Sequence, residues 1–396
     1  MANALLTPTA VTRESLRILH QKCNFIGSIV REYDDSFAKT GAKIGDSLKI
    51  RLPNQYTVRT GAVLSAQDTT ESSVTLQVAT QKGVDLNFTS VDLTLSLDDF
   101  SKRIIDPAMS VLAANIESDA LSMYKDVGQS IWNGAAAATF NKSLDARVLL
   151  NRALTPMADR TALMDSLGMA DVVKDTKGLF NDQGELGKQY KEGYMGRAAG
   201  FDWMENTMMP SHTRGAGNGA YVVNTTTGIT SGSTTIAVTV GAGTINRGDV
   251  FTIADVFSVH PETKVSTGIL FQFVAAVDYA GGAGNVTVVT APTTSGASQN
   301  VTLVAAGAGK AVVIFGTASL AVQTALLYQK EAFAFATADL VMPSGVDFAR
   351  REVMDGISMR IVRQYDINND KFPCRLDILY GFKTLRAQLA TRYHNN

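Results

Sequence analysis

Leu16, Leu19, Cys23, Ile26 and Ile29 recur at steps of three and four, with Arg13, Glu14, Lys22 and Asn24 between them. That period predicts an amphipathic helix over residues 9–30, whose apolar face needs a partner on its own subunit or another. From Asp46 the period changes to two. Leu48, Ile50 and Leu52 alternate with polar residues, as do Val74, Leu76 and Val78, then Leu86 and Phe88. Strands are expected there, and the polar stretch 66–73 makes residues 46–90 a long projecting β-hairpin. A lone two-stranded hairpin is marginal in water, so such an arm gains by lying across a neighbouring subunit.

Asp106 followed by Pro107 starts a helix, because Asp can cap orphan N–H groups and Pro presets φ where its missing donor does no harm. Met109, Leu112, Ile116, Ala120, Met123 and Val127 then keep one stripe facing one way. The expected spine runs about six turns, ~36 Å, and ends at Gly128 and the Asn133-Gly134 pair. Residues 143–210 mix helical patterns at 144–157 and 162–169 with glycine-rich, charged loops. Between Gly215 and Gly316 only seven charged residues occur, and Thr, Val, Ala and Gly dominate. Short strands are expected at 221–224, 234–240, 249–259, 270–277, 285–290, 299–305 and 310–315, separated by glycine turns. This block reads as a self-contained all-β barrel or sandwich inserted in the chain. Helical pattern and charge return at 320–335. The last segment reads as strands 357–364 and 375–380 around a hairpin tip, Asp366-Ile367-Asn368-Asn369-Asp370.

Composition narrows the function. The 396 residues are 45% hydrophobic and 18% charged, with 36 Lys+Arg against 37 Asp+Glu, so the chain can bury two or three cores and has no basic surplus for nucleic acid. The N-terminal residues lack the layout of a secretory signal, and no stretch approaches ~18 uninterrupted apolar residues. A soluble protein made in the cytosol is expected. Two cysteines, Cys23 and Cys374, exclude a disulfide framework and read as reduced, small hydrophobes.

Catalytic patterns do not assemble. His20, His212, His260 and His394 stand alone in the sequence, without metal-ligand spacing. Residues 307–310 (GAGK) resemble the end of a phosphate loop, but Ala311 replaces the hydroxyl and Val304 the leading glycine. Asp366, Asn368, Asp370 and Asp377 match calcium-loop positions, yet Lys371 replaces the turn glycine and Pro373 blocks the path. A polar hairpin tip is the preferred reading, with an intersubunit cation site as the alternative. Arg247-Gly248-Asp249 immediately precedes a strand, so a turn with a local or intersubunit salt bridge is preferred to an adhesion motif. The neighbouring acids Asp34/Asp35 and Asp98/Asp99 do not face each other on a helix. No enzyme, no cofactor and no metal site is expected.

Three longer stretches carry more information: GYMGRAAGFDWMEN at 193–206, INRGDVFTIADVFSVHPETK at 245–264, and VRQYDINNDKFPCRLDILYGFKTLRAQLA at 362–390. With these the chain resembles the major capsid proteins of tailed bacteriophages, most closely the P-twenty-two coat-protein type. Ala387 departs from the proline more often found there. The resemblance implies an α+β, Hong Kong 97-type fold with an inserted all-β barrel. It divides the chain into an N-terminal arm (1–40), an extended loop (41–95), a peripheral domain with the spine helix (96–140), and an axial domain (141–215 and 317–355). The inserted domain takes 216–316, and the C-terminal peripheral strands and tail take 356–396.

By the same resemblance, the protein is expected to build an icosahedral shell of hexamers and pentamers, as part of a virion assembled in the host bacterial cytoplasm. Its expected partners are a scaffolding protein, a portal protein and, without sequence preference, packaged DNA; no membrane is involved. An encapsulin-like compartment is the alternative, and a β-rich adhesin or carbohydrate-binding protein a more distant one. Expected intersubunit contacts are Gln67, Asp68 and Glu71 on the hairpin, Arg247 and Asp249 in the inserted block, and Asp366, Asn369 and Asp370 at the C-terminal tip. Some capsids of this fold weld subunits through an extended-loop lysine. Residues 53–81 contain none, so no covalent cross-link is expected.

Overall fold

The structure is a computed structural model that describes residues 8–33, 46–64, 66–68, 71–89, 104–176, 195–218, 220–303, 308–354, 356–368 and 371–395. In chain order come helices α1 (Pro8–Lys22) and α2 (Asn24–Ser28), then strands β1 (Val30–Tyr33), β2 (Asp46–Arg51), β3 (Ser73–Val78) and β4 (Thr80–Thr89). Helix α3 (Asp106–Leu121), strand β5 (Ser130–Trp132), helix α4 (Phe140–Arg152), strand β6 (Arg160–Met164) and helix α5 (Ser166–Thr176) follow. Strands β7 (Arg197–Ala198), β8 (Phe201–Glu205) and β9 (Ser211–Thr213) lead into the inserted block. That block supplies β10 (Tyr221–Val223), β11 (Thr235–Val240), β12 (Val250–Val259), β13 (Ser266–Val274), β14 (Gly284–Thr287), β15 (Val301–Leu303) and β16 (Ala311–Ile314). The last strands are β17 (Ala321–Gln329), β18 (Phe333–Ala338), β19 (Phe348–Met354), β20 (Ile357–Arg363), β21 (Lys371–Thr384) and β22 (Ala390–Asn395). No helix among the described residues is long and apolar enough to cross a membrane.

The α+β chain divides into two compact units. The first comprises Met1–Arg51, Ser73–Leu121 and Phe333–Leu385. Its six-stranded sheet runs β1-β18-β21-β20-β19, with β4 also pairing along β21, and β2 and β3 form a separate two-stranded ladder. Leu16, Leu19, Cys23, Ile26 and Ile29 are all buried, as their spacing requires, although the helix breaks at Cys23. The break has a cause on another helix. The Glu117 carboxylate, itself 1% exposed, accepts from the backbone N–H of Phe25 (2.5 Å) and Ile26 (3.4 Å) and so satisfies the first turn of α2, for which Cys23 offers no side-chain cap. Burial first, and the Glu117 charge second, push the Cys23 thiol far up, so it is a packed apolar group and not a nucleophile.

The spine is shorter than expected. Helix α3 ends at Leu121 and tightens into a 3₁₀ turn over Ser122–Asp126, although all six stripe residues from Met109 to Val127 are buried. The hairpin is likewise confined to β2 and β3, because β4 turns away and pairs with β21 from Thr80↔Tyr380 to Thr89↔Lys371. Its root is not an isolated arm. Leu76 and Val78 are buried with Ala334, Ala336, Ala338 and Leu379, where the alanine row of β18 leaves room for a second layer. The approach is so close that a Cβ on Gly381 would stand 2.1 Å from the Gln77 carbonyl oxygen, and only glycine fits.

The second unit comprises Leu52–Ser72, Ser122–Ala332 and Arg386–Asn396. A seven-stranded sheet, β5-β22-β17-β6-β8-β7 with β9 also on β17, packs its core with α4 and α5 around Phe140, Leu150, Trp203 and Tyr393. Two helical expectations are corrected here. Residues 162–169 are the end of β6 and the start of α5, and residues 320–335 are β17 followed by the start of β18. Both strands are central and largely buried on both faces, β6 entirely, so each shows a short apolar run, residues 162–164 and 325–328, with no period of two to betray it. Strand β17 joins this sheet, while β18 and β19 join the sheet of the first unit. The units meet in the chain at Leu121/Ser122 and at Leu385/Arg386, which places β22 in the second unit.

Seven strands do arise from the inserted block. They form one sheet, β13-β12-β16-β10-β11-β14 with β15 on β12, around a core from Tyr221 to Ile314. An isolated bridge, Ala275↔Val288, links the chain just past β13 to the chain just past β14, so the path returns on itself.

Candidate functional site

Among the described residues, Arg214, His212, Asp249, Arg392 and His394 are buried together within the second unit, where β9, β22 and the turn before β12 meet. Strand β9 pairs with β17 through His212↔Val322 and alternates exposed, buried, exposed, which turns the His212 ring inward. Strand β22 lies between β17 and β5, and its alternation puts Arg392 and His394 on one face while Tyr393 joins the apolar core on the other. The third element is the turn Asn246-Arg247-Gly248-Asp249, closed by an N–H to O bond of 2.9 Å from Asp249 to Asn246. Gly248 has φ +93°, and a Cβ there would stand 3.1–3.2 Å from Lys125 and the His212 ring.

Asp249 is 2% exposed and holds the cluster together. One carboxylate oxygen faces His212 Nε2 at 2.9 Å, and the other accepts from the backbone N–H of Gly215 (2.9 Å) and Asn246 (2.8 Å). For a neutral imidazole this fixes the proton on Nε2, leaving Nδ1 to accept from the Tyr124 hydroxyl at 3.1 Å. Arg392, fully buried, donates from Nη1 to the Gly248 carbonyl at 2.8 Å and lies over the Tyr124 ring. Burial pushes its pKa down to about 10, which still leaves it a cation at neutral pH. Arg214 donates from Nη2 to the Gly217 carbonyl at 2.7 Å. His394 bonds Thr324 Oγ1 through Nδ1 at 3.2 Å, and its ring lies 5.9 Å from that of His212. Burial, then the charge of Arg392, then His212 hold its pKa well below the usual imidazole range. Burial also pushes the Tyr124 hydroxyl up.

The cluster joins the inserted sheet to the sheet that carries it. Gln272 on β13 reinforces the joint by pairing with both backbone groups of Ser130 on β5, at 2.8 and 3.0 Å. Tyr124, His212 and Asp249 form a hydroxyl–imidazole–carboxylate relay, but the adjoining cavity measures about 10 Å³, which admits one water-sized particle and no organic substrate. The bonds of the cluster tie β9, β22 and the turn before β12 to one another.

The expected contact residues separate. Asp249 faces inward with its oxygens engaged inside the chain, which corrects its assignment as an intersubunit contact. Arg247 stays half exposed, 3.6 Å from Asp126, while its N–H donates to Asp278. Gln67 clasps the extended loop, accepting from Thr57 N–H at 2.9 Å and donating to the Thr57 carbonyl at 2.5 Å. Asp68 and Glu71 are exposed. Asp366 accepts from Asn368 N–H at 3.0 Å and closes the C-terminal hairpin with Lys371. Asn369 and Asp370 lie outside the described residues, as do Asp34, Asp35, Asp98 and Asp99. No group of three or more His, Cys, Asp or Glu among the described residues is placed to hold a metal ion.

The histidines do not all stand alone, as their spacing implied. His212 and His394 meet through strand pairing across 182 positions, which no local pattern in the sequence signals. His260 caps a turn, accepting from the N–H of Glu262 and Thr263.

Comparison with known proteins gives one decisive match. The family model described as "P22 coat protein - gene protein 5" matches residues 24–391. No curated protein matches the chain. Among solved structures, one from Mycobacterium phage Che8 has a TM-score of 0.44 at 11% identity, covering 92% of this chain and 89% of that one. The capsid structure of cyanophage P-SCSP1u has a TM-score of 0.44 at 10% identity, covering 90% and 84%. The capsid of an empty GTA particle has a TM-score of 0.42 at 10% identity, covering 100% and 92%. At these scores the likenesses add nothing to the family match.

Proposed function

The chain belongs to the P22 coat protein family and is a structural subunit of a phage shell, and from this premise we propose how it serves that shell. Copies associate as hexamers and pentamers into a precursor shell around a scaffolding protein, with a portal at one vertex, and the shell expands as DNA enters. Assembly takes place in the host cytoplasm. The role is non-catalytic: each contact is weak, and ring closure multiplies small free energies into a stable wall.

The observation that carries this reading is the extended loop, residues 52–72. Tyr56, Val58, Val63 and Leu64 are 56%, 94%, 84% and 82% exposed, on a loop that the Gln67–Thr57 clasp holds in shape. Large apolar side chains presented this way are unfavourable in an isolated subunit and favourable once covered by a second copy. The loop offers surface contact without a weld, since it carries no lysine.

Deleting residues 66–73 removes Gln67 and the polar side of the loop and takes from the strand ladders only the terminal Arg51↔Ser73 pair. The expected outcome is a subunit with unchanged circular dichroism and a loss of fast-sedimenting shells of tenfold or more. Normal shell yield from the deleted chain would remove the loop from the mechanism.

A further inference from the structure

His394 sits in the buried joint at 4% exposure, and its neighbours come from three other strands. The Trp132 ring at the end of β5 lies 5.6 Å away, the His212 ring on β9 lies 5.9 Å away, and Thr324 on β17 bonds Nδ1 at 3.2 Å. The charge around the ring is lopsided. Arg392 on the same strand and Arg214 beyond β9 are buried cations, whereas the buried carboxylate of Asp249, from the turn before β12, already serves His212, Gly215 and Asn246. On the outer side Asp126 faces Arg247 at 3.6 Å, and Lys125 lies over the Tyr124 ring. Burial, then Arg392, then His212 oppose a proton on His394. The space beside it, about 10 Å³, holds at most one water, far short of the hydration an imidazolium needs.

We propose that His394 makes this joint acid-labile: neutral, it packs between Trp132 and His212 and closes the inserted sheet onto the sheet that carries it, and on acidification the joint opens while each sheet keeps its own ladder. The direction follows from where the proton goes. In the closed joint the ring stays neutral, and once opened into water it takes up a proton at the ordinary imidazole value of about 6.5. Below that pH the open form binds one more proton than the closed form, so the closed form loses ground by close to tenfold for each pH unit. Above about pH 7 neither form is protonated, and the joint keeps its full stability. The ladders on either side, β12 with β16 and β17 with β22, are backbone pairs that do not titrate. A proton on His212 has a different effect, because Asp249 lies 2.9 Å from its Nε2 and balances the charge.

Native-state hydrogen exchange of the purified full-length subunit, read at single-amide resolution by mass spectrometry, tests this. Two amides report the joint: Gly215, which donates to Asp249, and Ser130, which donates to Gln272. After correction for free-chain rates, their protection is expected to be level above about pH 7 and to fall by close to tenfold between about pH 6 and about pH 5, with amides inside β12 and β17 unchanged. His394→Asn keeps a polar group within reach of Thr324 and cannot titrate, and its protection is expected to be independent of pH. Level protection in the wild type, the same fall in His394→Asn, or a fall shared by β12 and β17 would overturn the proposal. If His394→Asn does not fold, exchange of the imidazole C2–H in the wild type decides the matter. His394 is expected to stay neutral below about pH 6, and a midpoint at the ordinary value of about 6.5 would overturn its role, since opening would then take up no proton.

Discussion

Leu112→Asp is expected to leave no soluble, folded subunit, and Ile116→Asp to do the same. Each side chain is 2% exposed and lies one turn from the next on the buried stripe of α3. Removing the side chain from the core forfeits about 2–3 kcal/mol of apolar burial. Placing a carboxylate there without a partner costs several more, or forces its protonation. Net stabilities of about 5–15 kcal/mol do not absorb both losses. Val111, on the same helix but 60% exposed, is the control, and Val111→Asp should change stability by no more than about 0.5 kcal/mol. Soluble yield and circular dichroism of the three variants read the result. Normal yield of folded Leu112→Asp would refute the assignment of the stripe.

Asp249→Asn is expected to cost about 3–5 kcal/mol of the stability of the second unit, the range for breaking a buried charged cluster by removing one partner. The replacement keeps the shape and deletes the charge. An amide in that position offers one acceptor where the carboxylate serves three donors, from His212, Gly215 and Asn246. It also leaves Arg214 and Arg392 buried with no anionic side chain in the cluster. Denaturant unfolding followed by intrinsic fluorescence, with Trp132 and Trp203 both in this unit, measures the loss. A cost below about 1 kcal/mol would mean that the cluster is not what joins the inserted sheet to its carrier.

Local pattern made part of this fold legible. The stripes of α1–α2 and α3 are buried residue for residue, and every expected strand of the inserted block has a counterpart within a few positions, because one face of each element meets the core while the other does not. The period failed where both faces are buried. In β6 and β17 helix and strand write the same apolar run, and only the pairing of β17 with β6, β9 and β22 decides between them. Contacts that depend on distant residues were not legible at all. Glu117 ending α1 by capping α2 spans 92 positions, and the His212–Asp249 pair spans 37. Asp249 shows why a surface reading of charge misleads: in the sequence it is part of an exposed-looking Arg-Gly-Asp turn, and that turn sends Arg247 toward solvent and Asp249 into the interior.

Self-association is the central claim, and electron microscopy of the purified, unlabelled protein tests it most directly. Across a series of protein concentrations and salts, closed shells of uniform diameter built from five- and six-membered rings are expected. Fields of solitary subunits under every condition would contradict it.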